Sequence, residues 1–263
     1  MGIVNITPDS FYASSRVMNP DEAVKRFRAM MEAGADIIDM GACSTRPGSE
    51  SVDMEEEWRR LEAPLAAVRE AFPEVPLSVD TFYAEIAERC VTQYHVDIIN
   101  DVSGGADHGM FDVAARHDVN YVLMHTRGNP STMDGLCHYD DVVADVVREL
   151  AFRLDEARER GVCNVIVDPG FGFAKTTEQN LQLLGRLDYM KVLGCPILAG
   201  LSRKRMVREA GECDAAESLV PTVTMNTVAL MKGASIIRVH DVREGVYTAR
   251  AVGRLLKSLE AGK

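Results

Sequence analysis

With 263 residues and 46% hydrophobic content, the chain is long enough for two small domains or for one α/β barrel of roughly 250 residues. A net charge of −11 argues against a nucleic-acid surface, which needs a basic face, so any phosphate handled here meets a few local cations inside an acidic molecule. No apolar run approaches the roughly 20 residues of a membrane span, no secretory leader pattern precedes the first strand, and six scattered cysteines without a CxxC pair read as a reduced, cytoplasmic protein.

In chain order, residues 2–5 form a short apolar strand ending on Asn5. Asn19 reads as the N-cap of a helix with Pro20 in its first turn, running to about Ala33 and stopped by Gly34. A strand at 36–40 and a loop at 41–51 follow. The alternation then repeats, with a helix at 54–71 and a strand at 77–79 ending on Asp80. Next come a helix at 83–93, a strand at 97–99 ending on Asn100 and Asp101, and a short helix at 110–117. A strand at 121–124 ends on His125, a long helix occupies 139–160, and a strand at 164–167 ends on Asp168, where Pro169-Gly170 turns the chain away. A helix at 176–187, a strand at 196–199, one or two helices between 203 and 231, a strand at 234–239 and a helix at 244–259 complete the pattern.

Eight strands thus alternate with helices, and each connection has the length of a parallel crossover. The strands are apolar on both faces, as helix-covered parallel strands should be. No composition break marks a domain boundary, so residues 1–263 read as a single (β/α)8 TIM barrel. An open doubly wound sheet would need a Gly-rich dinucleotide loop after the first strand, and none is there.

In such a barrel the active site lies at the C-terminal ends of the strands. Those positions carry Asn5, Thr45-Arg46, Asp80, Asn100, Met124-His125, Asp168, Ser202-Arg203-Lys204, Arg238 and His240. A carboxylate at the end of a buried strand needs a partner, so Asp168 either caps a nearby helix or grips a polar ligand. Asp80, Asn100 and Asp168 suit a flat heterocycle with several ring nitrogens, and Lys204 suits a carbonyl on that ring. Met124 and Phe173 supply either apolar walls or core packing. Asn5, Thr45, Arg46, Arg238 and His240 resemble an anion site beside a helix N-terminus. Asn5 offers one oxygen ligand to a magnesium ion that keeps water and phosphate as its others. No Ser-His or Cys-His nucleophile stands out. His95, His108, His117 and His138 read as surface or structural residues, Glu55-Glu56-Glu57 as an acidic first turn, and Met30, Met31, Met225 and Met231 as core.

Seven stretches occur in the order found in one known family: Asn5-Ile6-Thr7-Pro8-Asp9-Ser10-Phe11, Ser44-Thr45-Arg46-Pro47-Gly48, Ser78-Val79-Asp80-Thr81, Asn100-Asp101, Asp168-Pro169-Gly170-Phe171-Gly172-Phe173, Ser202-Arg203-Lys204 and Arg238-Val239-His240-Asp241. Across essentially its whole length the sequence resembles the dihydropteroate synthases of the pterin-binding barrel family, which are sulfonamide targets. The resemblance implies condensation of 6-hydroxymethyl-7,8-dihydropterin diphosphate with 4-aminobenzoate, by an SN1-like route in which diphosphate leaves first. It implies a pterin site of Asp80, Asn100, Met124, Asp168, Phe173 and Lys204, and a diphosphate site of Asn5, Thr45, Arg46, Arg238 and His240 with Mg2+ at Asn5. Phe11, Thr45, Pro47, Phe173, Lys204 and Arg205 would border the aminobenzoate. The chemistry would fall to Asp80, Asp168, Lys204 and Arg238, which stabilise an electron-deficient pterin and a leaving diphosphate. The last helices would form a homodimer.

The sequence departs from the family pattern in several places. Tyr12-Ala13-Ser14-Ser15 replaces a common Ser-Asp-Gly-Gly, so Ala13 stands where a loop carboxylate would be. Gly41-Ala42-Cys43-Ser44 replaces Gly-Gly-Glu-Ser, with Cys43 expected to pack, and Arg205 stands where some members have Ser. Relatives commonly carry a short segment ahead of the first strand, so the expectation here is an open barrel floor or a shortened chain. Two alternatives share the pterin carboxylates. A folate-dependent corrinoid methyltransferase has no use for Thr45-Arg46 and Arg238-His240 as a diphosphate clamp, and a non-catalytic pterin-binding paralogue would follow from the altered first loop.

Overall fold

Parallel strands and helices alternate along the whole chain in the computed structural model, which describes residues 1–6, 19–43 and 52–261. Six strands form one sheet in sequence order: β1 (Gly2–Asn5), β2 (Ile38–Gly41), β3 (Leu77–Thr81), β4 (Ile98–Asp101), β5 (Asn120–Met124) and β6 (Val165–Asp168). The two-residue strands β7 (Leu198–Ala199) and β8 (Ile236–Ile237) pair with each other. Two isolated parallel bridges, Val167 to Ile197 and Gly2 to Val239, join this pair to both edges of the larger sheet. Val167 N–H donates to Pro196 O at 2.9 Å and Ile3 N–H to Val239 O at 3.0 Å, so the ring of strands closes as a (β/α)8 barrel.

The helices are α1 (Pro20–Glu32), α2 (Met54–Ala71), α3 (Ala84–Tyr94), α4 (Gly109–His117), α5 (Val142–Glu159), α6 (Thr177–Gly185), α7 (Arg205–Ala210), α8 (Leu219–Met231) and α9 (Val242–Ala261). Local chemistry fixes several of their starts. Asn19 accepts from Glu22 N–H at 2.9 Å with Pro20 behind it, and Asp53 does the same for Glu56. The helix expected at 139–160 begins only at Val142, because Asp141 turns outward to cap the amides of Val143 and Ala144. The stretch at 203–231 divides into α7 and α8. Gly211 ends the first, and Asp214 accepts from the amides of Ala216 and Glu217 ahead of the second.

Side chains alternate inward and outward along each strand, so every second residue points into the barrel. The lower interior is an apolar layer of Ile98, Val122, Ile166 and Leu198, with Met1, Ile37 and Ile236 packed on it. The larger core lies between strands and helices and includes Phe27, Met40, Leu61, Tyr121 and Val167. Above the apolar layer the interior changes character. Asp39, Ser78, Asp80, Asn100 and Asp168 are all buried there, so the strands are not apolar on both faces throughout. β3 and β4 also run to Thr81 and Asp101, which places Asp80 and Asn100 inside the ladder, directly paired in register. Among the described residues no helix is long and apolar enough to cross a membrane.

Candidate active site

The polar layer is organised around Arg238, which follows β8. Its Nε donates to Asp39 Oδ2 at 2.7 Å and its Nη2 to Asp80 Oδ2 at 2.8 Å. Asp39 is fully buried and also accepts from Ser78 Oγ at 2.5 Å and from Asn100 Nδ2 at 3.1 Å. One carboxylate from β2 therefore orients three groups from β3, β4 and β8. Burial pushes the Asp80 carboxyl up to about 7, Arg238 pulls it down, and the nearby Asp39 and Glu57 carboxylates push it further up. Gly41 lies between Asn5 and Asp80 in the ladder, and a methyl group there would come within 3.1 Å of Asp80 Cβ. Its missing side chain leaves Asp80 room, with half-buried Asn5 on the far side.

A second group of residues comes from β6 and β7. Asp168 ends β6, and its Oδ1 accepts from Gly170 N–H at 2.7 Å. Burial raises its carboxyl, with Lys204 the main opposing influence. Lys204 Nζ donates to Phe171 O and lies 4.7 Å from the centre of the Phe173 ring. Burial brings Lys204 down to about 8, Asp168 working against it. A methyl group at Gly200 would sit 3.9 Å from both Asp168 Oδ2 and Lys204 Nζ, so the two charges face the small space this glycine leaves open. Beside them Met124, Phe173, Val102, Met133 and Ala174 form an apolar cluster separate from the main core, with Phe82 against it.

Asp80, Asn100, Asp168, Lys204 and Arg238 are thus gathered at one mouth of the barrel, with Met124 and Phe173 as its apolar wall. His240 lies at the rim, where Ser202 Oγ accepts its backbone N–H at 3.2 Å and lies 3.0 Å from its Nδ1. That Ser-His contact was not evident in the sequence. Arg203 is folded away from the mouth in a bidentate pair with Asp241, Nε to Oδ2 at 2.9 Å and Nη2 to Oδ1 at 2.8 Å. Arg205 stands apart and exposed at the start of α7, lining a shallow hollow with Cys137, Thr176 and Glu209. Phe11, Ala13, Thr45, Arg46 and Pro47 lie outside the described residues.

Several groups escaped the sequence reading. Asp39 sits mid-strand between apolar neighbours and Lys175 follows a glycine-rich turn, so neither shows a strand-end signal. Glu57 is not a solvated first-turn charge. It is fully buried, and Cys43 does more than pack, since its thiol donates to Glu57 Oε2 at 2.8 Å. Burial raises both groups, the Cys43 thiol strongly. Glu56, by contrast, behaves as a surface charge paired with Arg59 and Arg60. Met231, expected in the core, is exposed at the end of α8.

Comparison with known proteins agrees with this geometry. The sequence profile of the pterin binding enzyme family matches residues 1–240. A Haloferax volcanii protein named "Probable bifunctional folylpolyglutamate synthase/dihydropteroate synthase" is 42% identical over 248 residues, covering 94% of this chain and 29% of that protein. The chain therefore spans less than a third of that relative. The dihydropteroate synthase of Synechocystis sp. is 40% identical over 246 residues, covering 92% of this chain and 84% of the relative. Among solved structures, Yersinia pestis dihydropteroate synthase in a sulfonamide drug complex superposes with a TM-score of 0.92 at 34% identity, covering 97% of this chain and 93% of that one. The Thermus thermophilus enzyme in complex with 4-aminobenzoate gives 0.86 at 42% identity, covering 97% and 93%.

Proposed function

The chain belongs to the pterin binding enzyme family, and on that footing we propose that it condenses 6-hydroxymethyl-7,8-dihydropterin diphosphate with 4-aminobenzoate to give 7,8-dihydropteroate and diphosphate. It is a transferase of the dihydropteroate synthase type. The observation that carries this reading is the convergence of Asp80, Asn100, Asp168 and Lys204 at one barrel mouth beside the wall of Met124 and Phe173. Carboxylates and an amide face the ring nitrogens and exocyclic amine of a pterin, and Lys204 donates to its carbonyl.

In this reaction the bond from the pterin methylene to the diphosphate oxygen breaks, and its electron pair leaves with diphosphate. The arylamine nitrogen then bonds to the methylene and releases a proton. The protein need not supply a nucleophile. Asp80 and Asp168 stabilise the electron-poor pterin by charge, and Lys204 orients the ring. Arg238, already held by Asp39 and Asp80, takes the leaving group with Asn5 and His240, a role the resemblance extends to Thr45 and Arg46. Phe173 and Lys204 border the aminobenzoate, a role the resemblance extends to Phe11, Thr45 and Pro47. Arg205, exposed at the start of α7, would have to swing out of its hollow to pair with the carboxylate.

Among the described residues no three His, Cys, Asp or Glu side chains are grouped to hold a metal ion. We assign magnesium to Asn5, half-buried at the end of β1 and able to give one amide oxygen, with substrate and water oxygens as the other ligands. When bound, Mg2+ neutralises charge on the departing diphosphate. The exposed Val220, Tyr247, Leu255 and Leu259 of α8 and α9 supply an apolar surface for a homodimer, which we place in the cytoplasm.

The test supplies the purified protein with dihydropterin diphosphate, 4-aminobenzoate and magnesium, with mass-spectrometric detection of dihydropteroate. Product that disappears on chelation of magnesium is the expected result. Tight pterin binding without product would leave a pterin-binding protein that does not carry out the condensation.

A further inference from the structure

We infer that Lys175 is a positioning residue for the pterin, clamping from behind the turn that carries Phe173 and the carbonyl acceptor of Lys204; the inference rests on the function proposed above. Lys175 is 2% exposed, and its ammonium is committed to protein atoms. Its Nζ lies 2.9 Å from His125 Nδ1, 3.0 Å from Gly170 O and 3.0 Å from Phe173 O. Gly170 O and Phe173 O are acceptors that either form of the amine can satisfy, and in the tautomer whose Nδ1 is unprotonated an ammonium fills all three contacts.

The histidine is oriented to match. With Nδ1 accepting from Lys175, its proton is on Nε2, which donates to Glu149 Oε2 at 3.0 Å. Glu149 is paired in turn with Arg127. The Arg127 guanidinium lies 3.9 Å from the centre of the Tyr139 ring, and Tyr139 Oη–H donates to Ala174 O at 2.9 Å. Two ties therefore hold one turn: Lys175, at its end, folds back on the carbonyls of 170 and 173 and is anchored to β5–α5 through His125, and Tyr139 reaches the carbonyl of 174 from that side. The groups around Lys175 are balanced in charge: Asp168 and Glu149 on one side, Lys204 and Arg127 on the other.

The turn is tightly wound: Gly170 has φ +65° and Gly172 +80°, which glycine adopts freely, whereas Ala174 at +47° is held in a left-handed conformation that costs an alanine energy, and its carbonyl is one of those tied. At Gly170 any side chain is excluded, since a Cβ would fall 1.9 Å from His125 O. The path thus ordered ends at the ligand space, with Phe171 O on Lys204 Nζ and the Phe173 ring below that ammonium. A buried ammonium is a costly way to hold three acceptors. Its gain is a fixed aim for Phe173 and Lys204.

The test is a double-mutant cycle read by calorimetric titration of the full chain with 6-hydroxymethyl-7,8-dihydropterin. Lys175→Met should weaken pterin binding by about tenfold or more. Because Lys175 acts through the turn that holds Lys204, the double variant with Lys204→Met should bind no more than about threefold weaker than Lys204→Met alone. Unchanged affinity in Lys175→Met, or losses that simply multiply, would overturn the inference, because a lysine that only stabilises the fold shows no such coupling. Should Lys175→Met fail to fold by circular dichroism, Glu149→Gln replaces it. Removing that half-exposed charge should weaken pterin binding several-fold, and wild-type affinity would count against the inference. A wild-type chain that does not bind the pterin at all refutes the reading of the site itself, before any variant is compared.

Discussion

Arg238 satisfies two buried carboxylates at once, so its loss is costly in a way that depends on pH. Arg238→Met would leave Asp39 and Asp80 facing each other without the cation between them. Breaking a buried pair on one side typically costs roughly 3–5 kcal/mol. The cost should be present at pH 8 and smaller at pH 5, where one carboxyl can take a proton. Urea unfolding at both pH values checks this, and an equal loss at both would mean the carboxylates do not interact. Lys175 provides the opposite case. Burial brings it down to about 7 from 10.5, so above pH 7 the unfolded chain retains a proton that the folded chain has released. Stability from this group therefore rises with pH above about 7. Measured between pH 7 and 9, the wild type should gain on Lys175→Met, and a constant difference would show that the amine does not titrate there. The groups the sequence singles out are those expected to end an apolar strand, such as Asp80, Asn100 and Asp168, because position along the pattern marks them, and the structure brings these three to one mouth of the barrel. Asp39 was missed because its partner Arg238 is 199 positions away and is brought to it only by barrel closure.

The elements were legible where a local signal starts or stops them. Asn19-Pro20 and Asp53 mark helix starts, and the structure uses both. Boundaries shifted where tertiary contacts take over. Tyr139 falls inside the helix the sequence predicts, yet its hydroxyl is committed to Ala174 O, and Asp141 caps α5, which starts at Val142. β7 and β8 have only two residues each, although Arg238 N–H still donates to Ala199 O and Val239 bridges Gly2 beyond it. α6 allows cap and site to be separated experimentally. Thr176 accepts from Gln179 N–H and Gln179 Oε1 accepts from Thr176 N–H, a complete capping box beside Lys175. Thr176→Ala should cost about 1 kcal/mol in urea unfolding. Pterin affinity should stay within about twofold of wild type, because the turn is held by Lys175, Tyr139 and Asn180 Oδ1, which accepts from Gly172 N–H at 2.8 Å, and not by the cap. A large affinity loss would mean that the cap, and not only Asn180 of α6, shapes the site.

At the scale of the whole molecule, the barrel is strong on one side and thinly joined on the other. β1 to β6 form a continuous ladder of strands four or five residues long, whereas β7 and β8 meet that sheet through one bridge on each side. Local opening follows the number of buried backbone hydrogen bonds that must break together. In hydrogen exchange, the amides of Ile99, Val122 and Leu123 should therefore outlast those of Ile3 and Val239 at the β8–β1 seam. Substrate should change this order. A pterin held by Asp80 and Asn100 on β3 and β4, and by Asp168 and Lys204 beside β6 and β7, bridges the continuous sheet to its weak side. Arg238, already bonded to Asp39 and Asp80, ties β8 to the same ligand site. Binding energy then resists the separation of β7 and β8 from the rest. Saturating dihydropterin should slow exchange at Val239 and Arg238 by a larger factor than at Ile99 and Val122. An equal factor at all four amides would mean that the barrel opens as one unit and that the ligand holds no particular seam.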